Sequence, residues 1–456
     1  MSDAKIEVEG HTHGPRSHAG RSRAPLRAVA RLRTGLARAA LRGANRLGPH
    51  LRARGIARLD FDPDRLVAAA IARTGLEDFG GEPYRTPLEV LLRACDEEAG
   101  LNFIGRVATW WDTVRLLGNL LRLAADRRLR PGIAAEPVRA PVFILGLPRT
   151  GSTFLHALLA QDPALRSPLH WEVMHPSPPP GLASRGSDPR VRRTARELAW
   201  MDYLAPELRT AHALAAEDPQ ECTEILSNVF LSLRFDTTYE IPSYRAWLDR
   251  QGLEPAYRFH RRFLQHLQHG APPRRWVLKS PDHVFALDAL LSVYPDARIV
   301  MTHRDPLKVL PSVASLTVML EAAFSDAVDP VRVGERIATR WEDGARRIIA
   351  AASSHPRMVH VHYRDLARFP LREVRRIYRE LDLDFTPEAE TRMGHYLRAH
   401  PAGGNGVHRY DPQRFGLDPQ RLAERFEPYR ARFGVEAETP ATARAATPAR
   451  SAGGQC

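Results

Sequence analysis

The middle of the chain alternates short, mostly apolar runs with longer stretches of helical period. Pro141-Val142-Phe143-Ile144-Leu145 is the clearest run, and others fall at 276–279, 297–302 and 358–362. Runs this short predict strands over 141–146, 276–279, 297–302 and 358–362, buried in a parallel sheet whose crossovers are the helical stretches between them. A long insertion, 170–270, separates the first two. Its Pro/Ser/Gly-rich part, 176–188, reads as loop, and helices are predicted over 191–204 and 217–232.

Upstream, residues 59–130 read as helical. Asp62-Pro63 is an N-cap followed by proline at the first helical position, and Thr86-Pro87-Leu88-Glu89 reads as a capping box opening a second helix. A third helix, 101–127, carries Trp110, Trp111, Leu116, Leu117 and Leu120, read as core. The end of the chain from Glu436 is rich in Ala, Thr, Pro and Gly and is expected to be disordered. The expected fold is α/β, with four parts: an arm 1–58, an all-α prefix 59–136, an α/β domain 137–435 with its helical insertion, and a tail 436–456.

An apolar fraction of 43% over 456 residues is ample for a buried core. The net charge of +13 suggests nucleic acid until it is located: residues 11–58 hold twelve arginines and no acid, so the folded body is nearly neutral. The arm is either a disordered extension or an amphipathic helix (Leu26, Val29, Leu32, Leu36, Leu41) making weak contact with anionic lipid. No secretory signal is expected, and no segment is expected to approach a membrane span. Cys95, Cys222 and Cys456 are odd in number and far apart, which points to a reducing, cytoplasmic compartment.

Candidate chemistry begins at residues 146–153, Gly-Leu-Pro-Arg-Thr-Gly-Ser-Thr. Strand, glycine-bounded loop and helix together aim backbone N–H groups at an anion. Gly146 and Gly151 have the spacing of a nucleotide-triphosphate loop, but Ser152 stands where its lysine belongs, and the cation is Arg149. A phosphate-like ligand other than ATP or GTP is implied. A second block, Trp276 to Asp282, puts Lys279 at a strand's C-terminal end, with Ser280 placed to cap and Pro281 to open a helix. Lysine is rare here, three against sixty-three arginines, so a compact point charge is wanted at that edge. In the third block a strand runs into Arg304-Asp305-Pro306. Ser312 follows two turns on, within about 80° of Arg304 at 100° per residue, and Pro311 implies a local kink.

These blocks, in this order, resemble the sulfotransferase superfamily that uses 3′-phosphoadenosine 5′-phosphosulfate. Bacterial sulfotransferase-family proteins and the tyrosylprotein sulfotransferases share the Pro-Arg-Ser/Thr-Gly-Ser/Thr-Thr loop. The likeness covers roughly 137–435, and also the helical prefix that such bacterial members often carry, and implies a P-loop-like fold; with no H-E-x-x-H and no clustered cysteines, no metal is expected. It also implies that Arg149, Thr150, Gly151, Ser152 and Thr153 hold the 5′-phosphosulfate, Arg304 and Ser312 the 3′-phosphate, and that Lys279 approaches the sulfuryl group. Gly406-Val407-His408-Arg409-Tyr410 resembles the loop that lies over the nucleotide. The cytosolic branch has Arg-Lys-Gly there instead, so steroid and phenol acceptors are disfavoured. A general base is needed: Glu172 is favoured by the tyrosylprotein relatives, with His170 the alternative. Trp171 either packs or stacks on adenine or acceptor. The acidic cluster Glu217 to Glu224 reads first as a helix-dipole complement, and Tyr363-Arg364-Asp365-Leu366 as structural. The expected reaction is direct in-line transfer of the sulfuryl group to a hydroxyl or amine of a small-molecule, lipid or glycan acceptor, and nucleic acid is not expected on the folded domain.

Overall fold

The computed structural model describes residues 59–182, 188–204, 215–355, 357–400 and 411–438, with Gly43 and Asn45. Five parallel strands form its centre: β1 (Val142–Gly146), β2 (Leu165–Arg166), β3 (Arg275–Lys279), β4 (Arg298–His303) and β5 (Val359–His362), in the order β2-β3-β1-β4-β5. Four were predicted to within a residue at each end. The two-residue β2 is too short to leave a pattern, and it pairs only with Arg275 and Trp276 at the outer edge.

Alternation along the strands builds two cores. Val142 and Ile144 of β1, with Val277, Val300, Val359 and Val361, pack against Leu155, Leu158, Val374 and Ile377 on one face. Phe143 and Leu145, with Leu278, Ile299 and Met301, face the other way. That second core also takes in Leu66, Leu88, Leu116 and Leu120, so the all-α prefix is packed into the body of the protein. Gly105 marks how closely: a Cβ there would lie 2.1 Å from the Phe324 carbonyl oxygen.

Helix starts follow the sequence at several points. Asp62 accepts from the N–H groups of Asp64 and Arg65 at the head of Pro63–Thr74, and Asp305 from Leu307 at the head of Pro306–Phe324. Ser280 accepts from Asp282, although the turn it caps, Pro281–Phe285, is a 3-10 helix. Other expectations need correcting. The second prefix helix begins at Arg85, not Thr86, and Glu89 cannot reach back as a capping box because its carboxylate takes Arg85 Nε at 2.6 Å. The helix predicted over 217–232 is only Cys222–Leu226 followed by a 3-10 turn, Ser227–Val229. Ser227 and Asn228 bend their side chains onto the Glu224 carbonyl, and Phe230 turns left-handed at φ 57°, which ends the helix.

Pro306–Phe324 is long and apolar enough, by length and composition, to cross a membrane, against the expectation that no segment approaches a span. Its apolar side is in fact core: Val309, Leu310, Val313 and Ala314 are buried. The helix runs as one element through Pro311. The tail expected from Glu436 onward is placed as far as Glu438, for a reason that lies in the site.

Candidate active site

β1 is the topological switch point: the chain crosses to β3 on one side and β4 on the other, and in open α/β sheets ligands bind there, outside the strands' C-terminal ends. Gly146 closes on β4 so tightly that a Cβ would sit 2.3 Å from the Thr302 carbonyl oxygen. The loop is pinned from within. Thr150 Oγ1 donates to Leu147 O at 2.7 Å and lies 2.6 Å from Thr302 Oγ1. Thr150 is fully buried, so its hydroxyl serves the loop's shape, and a ligand role falls to its backbone N–H. Arg149 is held left-handed at φ 60°, a conformation that costs a non-glycine residue about 1 kcal/mol or more. Gly151, at φ 84°, packs so that a Cβ would lie 2.9 Å from the Tyr363 ring. The helix Ser152–Leu159 then starts without a side-chain cap, which leaves its first N–H groups suited to an anion.

Beside this loop, β3 pairs with β1 in a register that sets Lys279 opposite Ile144. Its side chain is 2% exposed, and Nζ donates to Thr153 Oγ1 at 3.0 Å and to the carboxylate of Glu221. A short antiparallel bridge delivers Glu221: His170 N donates to Asp218 O at 3.0 Å, and Gln220 N to Pro168 O at 2.8 Å. The two residues favoured as base hold this bridge together. Glu172 is 4% exposed, with Oε1 taking Arg166 Nη2 at 2.9 Å and Oε2 the Leu169 N–H at 3.0 Å. His170 Nδ1 accepts from Gln220 Nε2 at 3.0 Å, and Trp171 is packed beneath the Arg190 guanidinium. The carboxylate that meets the lysine is therefore one the sequence reading took for a dipole complement. Glu221 stands at the cap position of Cys222–Leu226 but makes no side-chain cap bond.

A turn further on, Glu224 accepts from Arg234 Nη1 at 3.1 Å, and Arg234 pairs in turn with Asp112 of the prefix helix Phe103–Leu129. Burial pushes the Glu224 carboxyl up despite Arg234. Burial opposes ionisation of Asp112 as well, but Arg234 and Arg115 outweigh it and draw the carboxyl down to about 2.

On the other side of β1, Arg304 leaves β4 and donates from Nη1 to the Arg149 carbonyl oxygen at 3.1 Å. Its guanidinium lies 3.9 Å from the centre of the Tyr363 ring, and Nε and Nη2 grip Glu438 at 2.8 and 2.9 Å. Ser312 is 8% exposed in the second turn of Pro306–Phe324. Arg149, Thr153, Lys279 and Arg304 are thus gathered at adjoining strand ends. His408, Arg409 and Tyr410 lie outside the described residues. Tyr363 and Glu438 join the site unannounced: one sat in a segment read as structural, the other in a tail read as disordered. A cavity of about 370 Å³, lined by Leu120, Phe259, Arg262 and His266, lies apart from these strand ends.

Comparison with known proteins agrees with this geometry. Residues 141–387 match the Sulfotransferase family. The omega-hydroxy-beta-dihydromenaquinone-9 sulfotransferase Stf3 of Mycobacterium bovis is 25% identical over 346 residues, covering 72% of this chain and 83% of the relative. The crystal structure of sulfotransferase STF1 from Mycobacterium tuberculosis superimposes with a TM-score of 0.73 at 32% identity, covering 81% of this chain and all of that one. STF9 from Mycobacterium avium gives 0.73 at 30%, covering 82% and 97%. The match over more than half the chain, and the fold shared with STF1 and STF9, place this protein in the sulfotransferase family, as an enzyme that transfers a sulfuryl group.

Proposed function

We propose that the donor is 3′-phosphoadenosine 5′-phosphosulfate, that the acceptor is a hydroxyl on a small, lipid-like molecule, and that Glu221 is the general base. One observation carries the reading: the 3.1 Å bond from Arg304 Nη1 to the Arg149 carbonyl oxygen sets the second cation directly beside the backbone of the anion-binding loop, close enough for one nucleotide to meet both. Arg149, Ser152, Thr153 and the backbone N–H groups of 149–153 hold the phosphosulfate. Arg304 and Ser312 hold the 3′-phosphate, and His408, Arg409 and Tyr410 cover the nucleotide.

In the reaction the acceptor oxygen attacks sulfur in line, and the bond from sulfur to the 5′-phosphate oxygen breaks. Adenosine 3′,5′-bisphosphate leaves with the electron pair, and the acceptor's proton goes to Glu221. As in phosphoryl transfer, positioning and charge stabilisation supply most of the catalysis. Lys279 turns from Glu221 towards the departing phosphate oxygen, which frees the carboxylate at the moment it is needed. What favours Glu221 over Glu172 and His170 is its contact with Lys279, while both Glu172 oxygens are held by protein donors.

The name of the Stf3 relatives, which act on a hydroxylated menaquinone, supports an apolar alcohol as acceptor. The free thiols of Cys95 and Cys222 support a reducing, cytoplasmic setting, where the arginine-rich arm 11–58 would lend weak affinity for anionic membrane. The test is incubation of the enzyme with sulfur-labelled donor and a lipid extract. Label is expected in an organic-soluble product, with the wild-type enzyme and not with Glu221→Gln. Label confined to polar products, or undiminished by that substitution, contradicts the reading.

A further inference from the structure

Residues 434–438, which follow the helix Pro419–Phe433, stay on the body of the protein. That helix is fastened to the end of β4: Tyr429 OH is 2.8 Å from His303 Nδ1, and the Phe433 ring stacks on His303 with centroids 4.4 Å apart. Gly434 turns left-handed at φ 60°, and Val435 is buried. Because His303 precedes Arg304, the chain emerges beside the second cationic grip. Glu436 pairs with the exposed Arg364, and Glu438 N donates to Asp305 Oδ2 at 2.8 Å. The Glu438 carboxylate then takes Nε and Nη2 of Arg304, the two parallel donors that a phosphate would use.

Building on the sulfotransferase reading, we infer that Glu438 is a built-in competitor for the phosphate site on Arg304. The C-terminal segment fills this grip in the resting enzyme and is displaced when a 3′-phosphorylated nucleotide binds. Two anions cannot share one guanidinium fork, so occupancy is exclusive. The clasp is also built to open. The Arg304 and Glu438 side chains are 23% and 33% exposed, within reach of solvent and of an incoming anion, and the far more exposed Arg364–Glu436 pair beside them is a weak one. Residues 436–438 can therefore lift away while Val435 and the helix stay docked. Nucleotide affinity is in this way set partly by the tail.

Calorimetric titration of the full chain tests this. Glu438→Gln is expected to bind adenosine 3′,5′-bisphosphate about three- to tenfold more tightly than wild type, with affinity for adenosine 5′-phosphate unchanged. Glu436→Gln removes the same charge from the same segment but away from the grip, and should change affinity less than about twofold. Equal or weaker binding by Glu438→Gln overturns the inference. So does an equal gain in both variants, which would reveal a general charge effect. If wild type and variants alike ignore the bisphosphate, the donor reading of the site fails, and the inference falls with it.

Discussion

Lys279 touches Thr153 and Glu221 at once, so a single buried ammonium links the donor loop to the proposed base. Glu221→Gln keeps the side chain's shape but cannot accept a proton. It is expected to lower kcat by about 10²–10⁴-fold while leaving bisphosphate binding within a few-fold of wild type. Glu172→Gln should do the reverse, retaining kcat and losing about 1–3 kcal/mol of stability, because Arg166 and the Leu169 N–H lose a charged acceptor. Steady-state rates and thermal melts of the two variants separate the roles; loss of turnover in Glu172→Gln with an intact melt would return the base to that position. The positions of Arg149, Lys279 and Arg304 beside one another were legible, because a glycine-bounded loop and cations at strand ends are local patterns. Glu221 was not: its meeting with Lys279 depends on a bridge between 168–171 and 216–220, and that pairing leaves no mark in either segment alone.

At the level of elements, strands were read well where a short, mostly apolar stretch stood between helical ones, and Asp-Pro starts were read well because a cap is a local device. The insertion was read in part: the helix predicted over 191–204 is Pro189–Leu204, but the one over 217–232 failed, since Asn228 and Phe230 shape that stretch through side-chain bonds and a left-handed turn that propensity does not record. The prefix helix Phe103–Leu129 was expected to pack, but its ionic tie through Asp112 to Arg234 and Glu224 was not foreseen. That tie has a pH signature. The Asp112 carboxyl is drawn down to about 2, so its contribution is complete above the ordinary carboxylate range and is lost as pH falls through the folded value. Asp112→Asn is expected to cost about 2–4 kcal/mol at pH 7. The gap from wild type should narrow between about pH 4 and pH 2, as denaturation at several pH values would reveal. A gap independent of pH would mean that the pairing carries no stability.

For the whole molecule, charge and chemistry are separated along the chain. The arginines of the arm account for nearly all of the net charge of +13, whereas the donor grips begin at Gly146. Among the described residues, Asn45 Oδ1 accepts from Ile104 N at 3.1 Å. Removing residues 1–42 is therefore expected to leave the melting temperature and bisphosphate affinity nearly unchanged; a large loss of affinity would give the arm a place in the site. The central claim is that one doubly phosphorylated nucleotide spans Arg149 and Arg304. Its most direct test is the affinity ratio between adenosine 3′,5′-bisphosphate and adenosine 5′-phosphate, measured on wild type and on Arg304→Ala. Wild type should prefer the bisphosphate by about 10- to 100-fold, and the variant should lose most of that preference while binding the monophosphate as before. A preference that survives the substitution would contradict the account.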